Sequence, residues 1–296
     1  MSIGEVPVES AGAVSAAQAS TTRSQFWRNL LHSKTFIVGA IIVGFWVLAA
    51  IFGNALVPHD PLAQDLSAIN QAPSGSHWFG TDQLGRDVFS RVITGSRDIM
   101  IIAPLATLLG TLFGTALGLV MGYYRGATDE VIGRVVEAFL ALPLVVTGIL
   151  GVVALGSSDI TLIIVIGIVF TPLIARTVRA AVLFERELDY VSAARLRGES
   201  SFYIMSREIL PNVTAPIIVE FTVRLAYAVF TIVTLSFLGF GIQPPSANWG
   251  LEISTNYGQV AAGYWWEVLF DALAIATLVI GVNMVANSIE ATLDES

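Results

Sequence analysis

Six long apolar runs alternate with short polar segments along this chain. They cover about 35–57, 99–124, 135–155, 160–175 and 217–240, with a last run that follows an aromatic belt (Tyr257, Tyr264, Trp265, Trp266) and ends near 289. Most come close to the ~20 residues that an α-helix needs to cross a hydrocarbon core. The expected fold is therefore an all-α polytopic membrane protein with about six transmembrane helices. The pattern divides the chain into a disordered cytoplasmic tail over 1–24, a first span with an ordered extracytoplasmic segment over 25–98, and a transmembrane core over 99–294. The tail is built from Ser, Ala, Val, Thr and Gln without periodicity, and lacks the basic start of a signal peptide. Within the second run Ala106, Gly110, Gly114, Gly118 and Gly122 recur at every fourth position. On a helix they form one stripe of small residues, which permits close backbone approach between helices in lipid. Pro143 is expected to kink the third run.

Composition places the chain in a bilayer. Of its 296 residues 54% are hydrophobic and 13% charged, and the mean hydropathy is +0.73. Soluble domains carry about 25% charged residues. A net charge of −8 argues against a nucleic-acid partner. The absence of cysteine removes disulfides, thiolate catalysis and most zinc sites.

The basic residues set an orientation. Arg23, Arg28 and Lys34 precede the first span, Arg125 and Arg134 follow the second, and Arg176, Arg179, Arg186, Arg195, Arg197 and Arg207 lie between the fourth and fifth. Only Arg86, Arg91 and Arg97 fall on the opposite side. By the positive-inside rule both termini and the 189–212 loop are cytoplasmic.

That loop reads as two short helices. Gly198 can close the first in a left-handed cap, Ser200 can start the second, and Pro211 is expected to end it. Ala193 and Ala194 would leave a shallow face for another protein's side chains. Four polar groups fall inside spans. Glu220 and Arg224, at i and i+4, are either an intramembrane structural pair or part of a translocation path. Asn283, a further candidate for that pair or path, and Asn287 are expected to donate between helices. Glu267 and Asp271 are expected to be a solvated helix start.

Chemistry of other kinds is missing. No G-x-x-x-x-G-K-[ST] loop, H-E-x-x-H or G-x-S-x-G elbow occurs, and His32, His59 and His77 are dispersed along the chain. No catalytic residue and no metal ligand set is expected.

Three stretches resemble one family. Ala193-Ala194, three residues, Gly198 and then Leu210-Pro211 resemble the EAA loop of bacterial ABC-importer permeases, with Ser192 where a glutamate is usual and Glu208 two before Leu-Pro. Phe79-Gly80-Thr81-Asp82 through Gly85-Arg86-Asp87, Ser90-Arg91, Gly95 and Arg97 looks like the FGTDxxGRDxxSRxxxGxR block of the C-type permease subunit of dipeptide and oligopeptide importers. Leu235-Ser236-Phe237-Leu238-Gly239, Gly241, Pro244-Pro245 and Trp249-Gly250 are similar to its LSFLGxGxxPPxxxWG block. The family's C-terminal ending is matched only at Asn283.

The resemblance implies a type I ABC-importer permease fold and a transport subunit without its own ATPase site. It implies that Ser192, Ala193, Ala194, Arg195, Gly198, Glu199 and Ser200 form the ATPase-coupling helix. It also implies a B-type permease partner, two cytoplasmic ATPases that bind ATP and magnesium, an extracytoplasmic binding protein, a peptide substrate and a place in the bacterial inner membrane. A nickel or other small-solute importer stays open, as does an ion-driven secondary transporter. For the 189–212 loop a plain amphipathic linker stays open, and for the 77–97 block a purely structural outer loop.

Overall fold

The computed structural model describes residues 27–294, so the 1–24 tail lies outside the described residues. A short helix α1 over 27–32 leads to α2 (Lys34–Leu56). Then follow α3 (Val88–Tyr124), α4 (Gly126–Leu140), α5 (Leu144–Leu155), α6 (Asp159–Glu185) and α7 (Asp189–Leu196). A continuous helical segment comes next, with α8 (Ser201–Tyr203), a π-helical stretch (Ile204–Ile209) and α9 (Leu210–Asn212). The chain ends with α10 (Thr214–Phe237), α11 (Trp249–Asn256), a 3₁₀ turn (Tyr257–Ala262) and α12 (Trp266–Asp294). Among the described residues there is no strand, only an isolated bridge between Thr81 and Asp87.

Five helices are long and apolar enough to cross a membrane: α2, α3, α6, α10 and α12. The pair α4 and α5 makes a sixth only if it counts as one span, because it bends by 93°. The expected kink at Pro143 in the 135–155 run is thus a full break between two helices. Pro143 has no N–H and pushes the residue before it out of the helical region, so it separates two helices instead of kinking one. The first half, α4, carries Asp129, Glu130, Arg134 and Glu137 on an amphipathic helix. The second run also starts earlier than its apolar stretch. Residues 88–98 are the first turns of α3, capped by Asp87, whose side chain accepts the Ser90 N–H.

The interior is organised around α3 and α6, which pack along their lengths. The glycine stripe of α3 is the contact. A Cβ added at Gly110 would lie 2.9 Å from the Gly167 carbonyl, and one at Gly114 2.7 Å from the Ile174 Cβ. At Gly118 and Gly122 it would lie 2.7 Å from the Cβ atoms of Val178 and Val182. Buried Ile99, Ile102, Leu162, Ile166 and Phe170 extend this seam toward the outer side. Against this pair stand α2, α10 and α12. The first helix turns Gly39, Trp46, Ala49 and Gly53 inward and leaves Ile41, Phe45, Leu48, Ile51 and Phe52 exposed, as a lipid-facing helix does. Trp46 Nε1 donates to Thr277 Oγ1 at 3.2 Å and ties α2 to α12.

Gly118→Leu should therefore overpack the seam. The expected loss is about 1–3 kcal/mol, read as a lower Tm of the purified chain in detergent. Gly44→Ala, where a Cβ meets nothing within 4 Å, should leave Tm unchanged.

Candidate functional site

The 189–212 turn is built by backbone geometry. The α7 helix closes in a Schellman motif: Gly198 N–H donates to Arg195 O at 3.0 Å and Glu199 N–H to Ala194 O at 3.2 Å. Gly198 takes φ +79°, a conformation that costs little only without a Cβ. Ser200 Oγ then accepts from Tyr203 N at 3.2 Å and starts α8. The helix does not stop before Pro211, as the sequence reading expected. Pro211 removes the N–H that would bond the Arg207 carbonyl, and the chain widens into π geometry: Leu210 N–H donates to Met205 O. Asn212 Nδ2 closes the end on Glu208 O at 2.7 Å.

The inward side of this hairpin is apolar and closed. Val191, Ala194, Ile204, Ile209 and Val213 are all buried. Ala194 is thus a packing residue and does not contribute to a shallow outer face, which corrects the expectation for it. The outward side presents Ser192, Ala193 and Arg195, with Leu196 90% and Phe202 77% exposed. Sequence reading had left out Leu196 and Phe202. Their signal was two large apolar residues in the 192–202 stretch, which is otherwise small or polar. Glu199 is half-buried, and Glu208 pairs with Arg197 at 3.0 Å. Two ties hold the turn to the long helices. The Arg195 guanidinium lies 5.4 Å from the Tyr123 ring centroid at the inner end of α3. Tyr190 donates to Glu185 Oε2 at 2.7 Å, and burial together with this bond pushes its hydroxyl pKa up to about 12.

On the opposite side the two outer sequence blocks form one charged cluster. Asp82 Oδ1 accepts the N–H groups of Leu84 and Arg86 at 2.8 and 2.9 Å, and Oδ2 takes Arg86 Nε at 2.6 Å. Arg91 is 2% exposed and reaches Glu252 Oε1 at 2.5 Å, the Pro61 carbonyl at 2.7 Å and the Ser246 carbonyl at 3.1 Å. Trp249 Nε1 donates to Val92 O at 2.8 Å, and Trp266 Nε1 to Thr81 O at 3.1 Å. Glu267 and Asp271, expected in solvent, are buried beneath this layer, at 1% and 2% exposure. Both Glu267 oxygens and Asp271 Oδ1 accept no hydrogen bond from a described residue. The 80–91 segment folds over the start of α12, a contact that no local pattern announces.

Comparison with known proteins identifies the scaffold. Residues 114–296 match the family described as the inner membrane component of binding-protein-dependent transport systems. The chain belongs to this family. Residues 21–73 also match the N-terminal transmembrane domain of oligopeptide transport permease C. The dipeptide transport system permease protein of Bacillus subtilis (strain 168) is 35% identical over 90% of this chain and 84% of its own. The glutathione transport system permease protein of Escherichia coli O6:K15:H31 is 35% identical over 94% of this chain and 91% of its own. A chain of the inward-facing methionine ABC transporter MetNI shares the fold, with a TM-score of 0.56 at 16% identity, over 69% of this chain and 96% of that one.

Inside the permease, the membrane charges hold helices together. Arg224 and Glu220 pair at 2.9 Å, and Thr177 Oγ1 on α6 donates to Glu220 Oε1 at 2.7 Å. The pair thus clamps α10 to α6. Asn283 is not brought to it. Its Nδ2 donates to Val279 O of its own helix at 3.0 Å and the residue is exposed, so the expected interhelical bond is not formed. Asn287 is exposed too. A contact that sequence reading missed is the two-pronged one of Arg179 to Asp129, at 2.5 and 2.6 Å, which fixes α4 against α6. The two lie 50 residues apart and no spacing rule links them.

Breaking the outer cluster from one side should be costly. Glu252→Ala leaves the buried Arg91 without its carboxylate, at an expected cost of about 3–5 kcal/mol. The double variant Arg91→Met/Glu252→Leu should unfold at a higher temperature than Glu252→Ala alone, as followed by thermal unfolding in detergent.

Proposed function

We propose that this permease is the C-type transmembrane subunit of an ATP-driven peptide importer. In this reading it lies in the bacterial inner membrane with both termini in the cytoplasm. It pairs with a homologous permease, receives peptide from an extracytoplasmic binding protein, and is driven by two cytoplasmic ATPases that hold ATP and magnesium. The observation that carries the reading is the exposed face of α7. Ser192, Ala193 and Leu196 form a small, partly apolar patch on a turn whose backbone is fixed by the Schellman closure and whose inner side is packed. Such a patch docks into another protein's groove at little conformational cost. The family match supports an ATPase as the occupant, and the dipeptide, peptide and glutathione names of the relatives support a peptide-class substrate.

The geometry supplies a route for force. ATPase closure pushes on α7, and α7 cannot move alone. Arg195 bears on Tyr123 of α3 and Tyr190 on Glu185 of α6, so displacement is imposed on the α3–α6 pair. The Glu220–Arg224–Thr177 clamp carries it to α10.

The test is Ala193→Trp and Leu196→Asp, both on exposed positions. Each should leave the stability of the permease within about 0.5 kcal/mol of the original, read as an unchanged Tm. Each should lower ATP-dependent peptide uptake by reconstituted importer about tenfold or more, the loss of one contact of hot-spot size. Unchanged uptake by both variants would sink the assignment of this face.

A further inference from the structure

The extracytoplasmic segment brings together two histidines that are 18 positions apart in the sequence. The His59 and His77 rings lie 4.7 Å apart at centroid and are tilted by 31°. A nitrogen of each and a carboxylate oxygen of Asp87 all fall within 4.8 Å of one another. Among the described residues no other group of this kind forms.

Hydrogen bonding fixes which nitrogens are free. His77 Nδ1 is 2.9 Å from Asp87 Oδ1, and His59 Nε2 is 2.9 Å from the Ser76 carbonyl. A carbonyl only accepts, so the neutral His59 ring carries its proton on Nε2 and leaves a bare lone pair on Nδ1. Asp87 is held in place by Ser90, whose N–H and hydroxyl donate to Oδ2 at 2.8 and 2.6 Å. Its carboxylate therefore serves as the acceptor for His77 Nδ1–H, and His77 Nε2 is left bare. An imidazole backed by a carboxylate in this way is the usual arrangement behind a metal-ligating histidine.

We propose that His59 and His77, with Asp87 behind them, form a divalent transition-metal site on the outer face of the permease. Imidazole donors select ions of the zinc class over magnesium or calcium, which take oxygen. A tetrahedral ion with bonds of about 2.0–2.1 Å needs donors roughly 3.3 Å apart. His59 is open to solvent on one side and its ring can turn toward that spacing, while His77 and Asp87 are held more firmly. Water fills the remaining positions. The site joins residue 59, just after α2, to the first turn of α3, so an ion there would staple the outer ends of these two helices. The proposal does not depend on what the permease transports.

The experiment is a Zn²⁺ titration of the full-length chain in detergent, purified without a histidine tag, against a competing chromophoric chelator. It is read together with Tm at each Zn²⁺ concentration. The original chain should bind one Zn²⁺ and gain Tm. His59→Ala, a change at an exposed position, should weaken binding about tenfold or more and abolish the Tm gain while keeping the metal-free Tm. His77→Gln should do the same to binding, and His32→Ala should change neither. Identical titrations for the original chain and the His59→Ala/His77→Gln double variant would overturn the site.

Discussion

The structure depends on the close approach of α3 to α6. In lipid there is no hydrophobic drive between helices, because the tails are as apolar as the side chains they would replace. Association rests on dispersion and on the few polar contacts that can be made, and dispersion falls steeply with distance. The glycine stripe answers this constraint. It lets the Ile174, Val178 and Val182 side chains of α6 seat against bare backbone, where even a methyl group would meet atoms at 2.7 Å. Residues 110–122 of α3 and 167–182 of α6 thus become one double rod, and every other span is placed relative to it.

The same scarcity of partners explains the disposition of charge. Within the membrane and close to the 189–212 turn, several ionic groups tie one helix to another. Arg224 and Glu220 with Thr177 join α10 to α6, and Arg179 with Asp129 joins α4 to α6. At the outer edge Arg91 joins α3 to Glu252 on α11 and to two loop carbonyls. Such a buried pair contributes little net stability compared with a well-packed apolar replacement, yet it admits one arrangement of its elements. Glu267 and Asp271 depart from this rule, since the Arg residues of the cluster are already committed to Asp82 and Glu252.

Hydropathy made most spans legible, because length and apolarity are local properties. The ends of the helices were not. Residues 88–98 are polar and read as loop, yet they are helical because the outer cluster pays their desolvation: Arg91 and Asp98 find partners in the 246–252 stretch. The break at Pro143 was visible as a proline but its 93° size was not, since direction is set by what the two halves pack against. At the 189–212 turn Gly198 and Ser200 were readable from capping chemistry alone. Which alanine faces outward was not, as that depends on how α7 packs against the π-helical stretch, which buries Ala194 in the same core as Ile204 and Ile209. Asn283 illustrates the limit from the other side. An asparagine in a span invites an interhelical bond, but a carbonyl of its own preceding turn is always within reach. The histidines looked dispersed because the fold, and not their spacing, places His59 beside His77.

One helix connects everything described. At 37 residues α3 is on the order of 55 Å long, well beyond the ~30 Å of a hydrocarbon core. The excess at its start holds Asp87 and Arg91 in the charged layer, and its end places Tyr123 under Arg195 of the 189–212 turn. Pro104 removes one backbone bond within it, and Thr107 and Thr111 hydroxyls bond back to the Ala103 and Thr107 carbonyls just beyond. Below that point the glycine stripe locks α3 to α6, and above it the outer cluster locks α3 to α11. The two halves are each held by neighbours and joined through the stretch with the weakest backbone ladder.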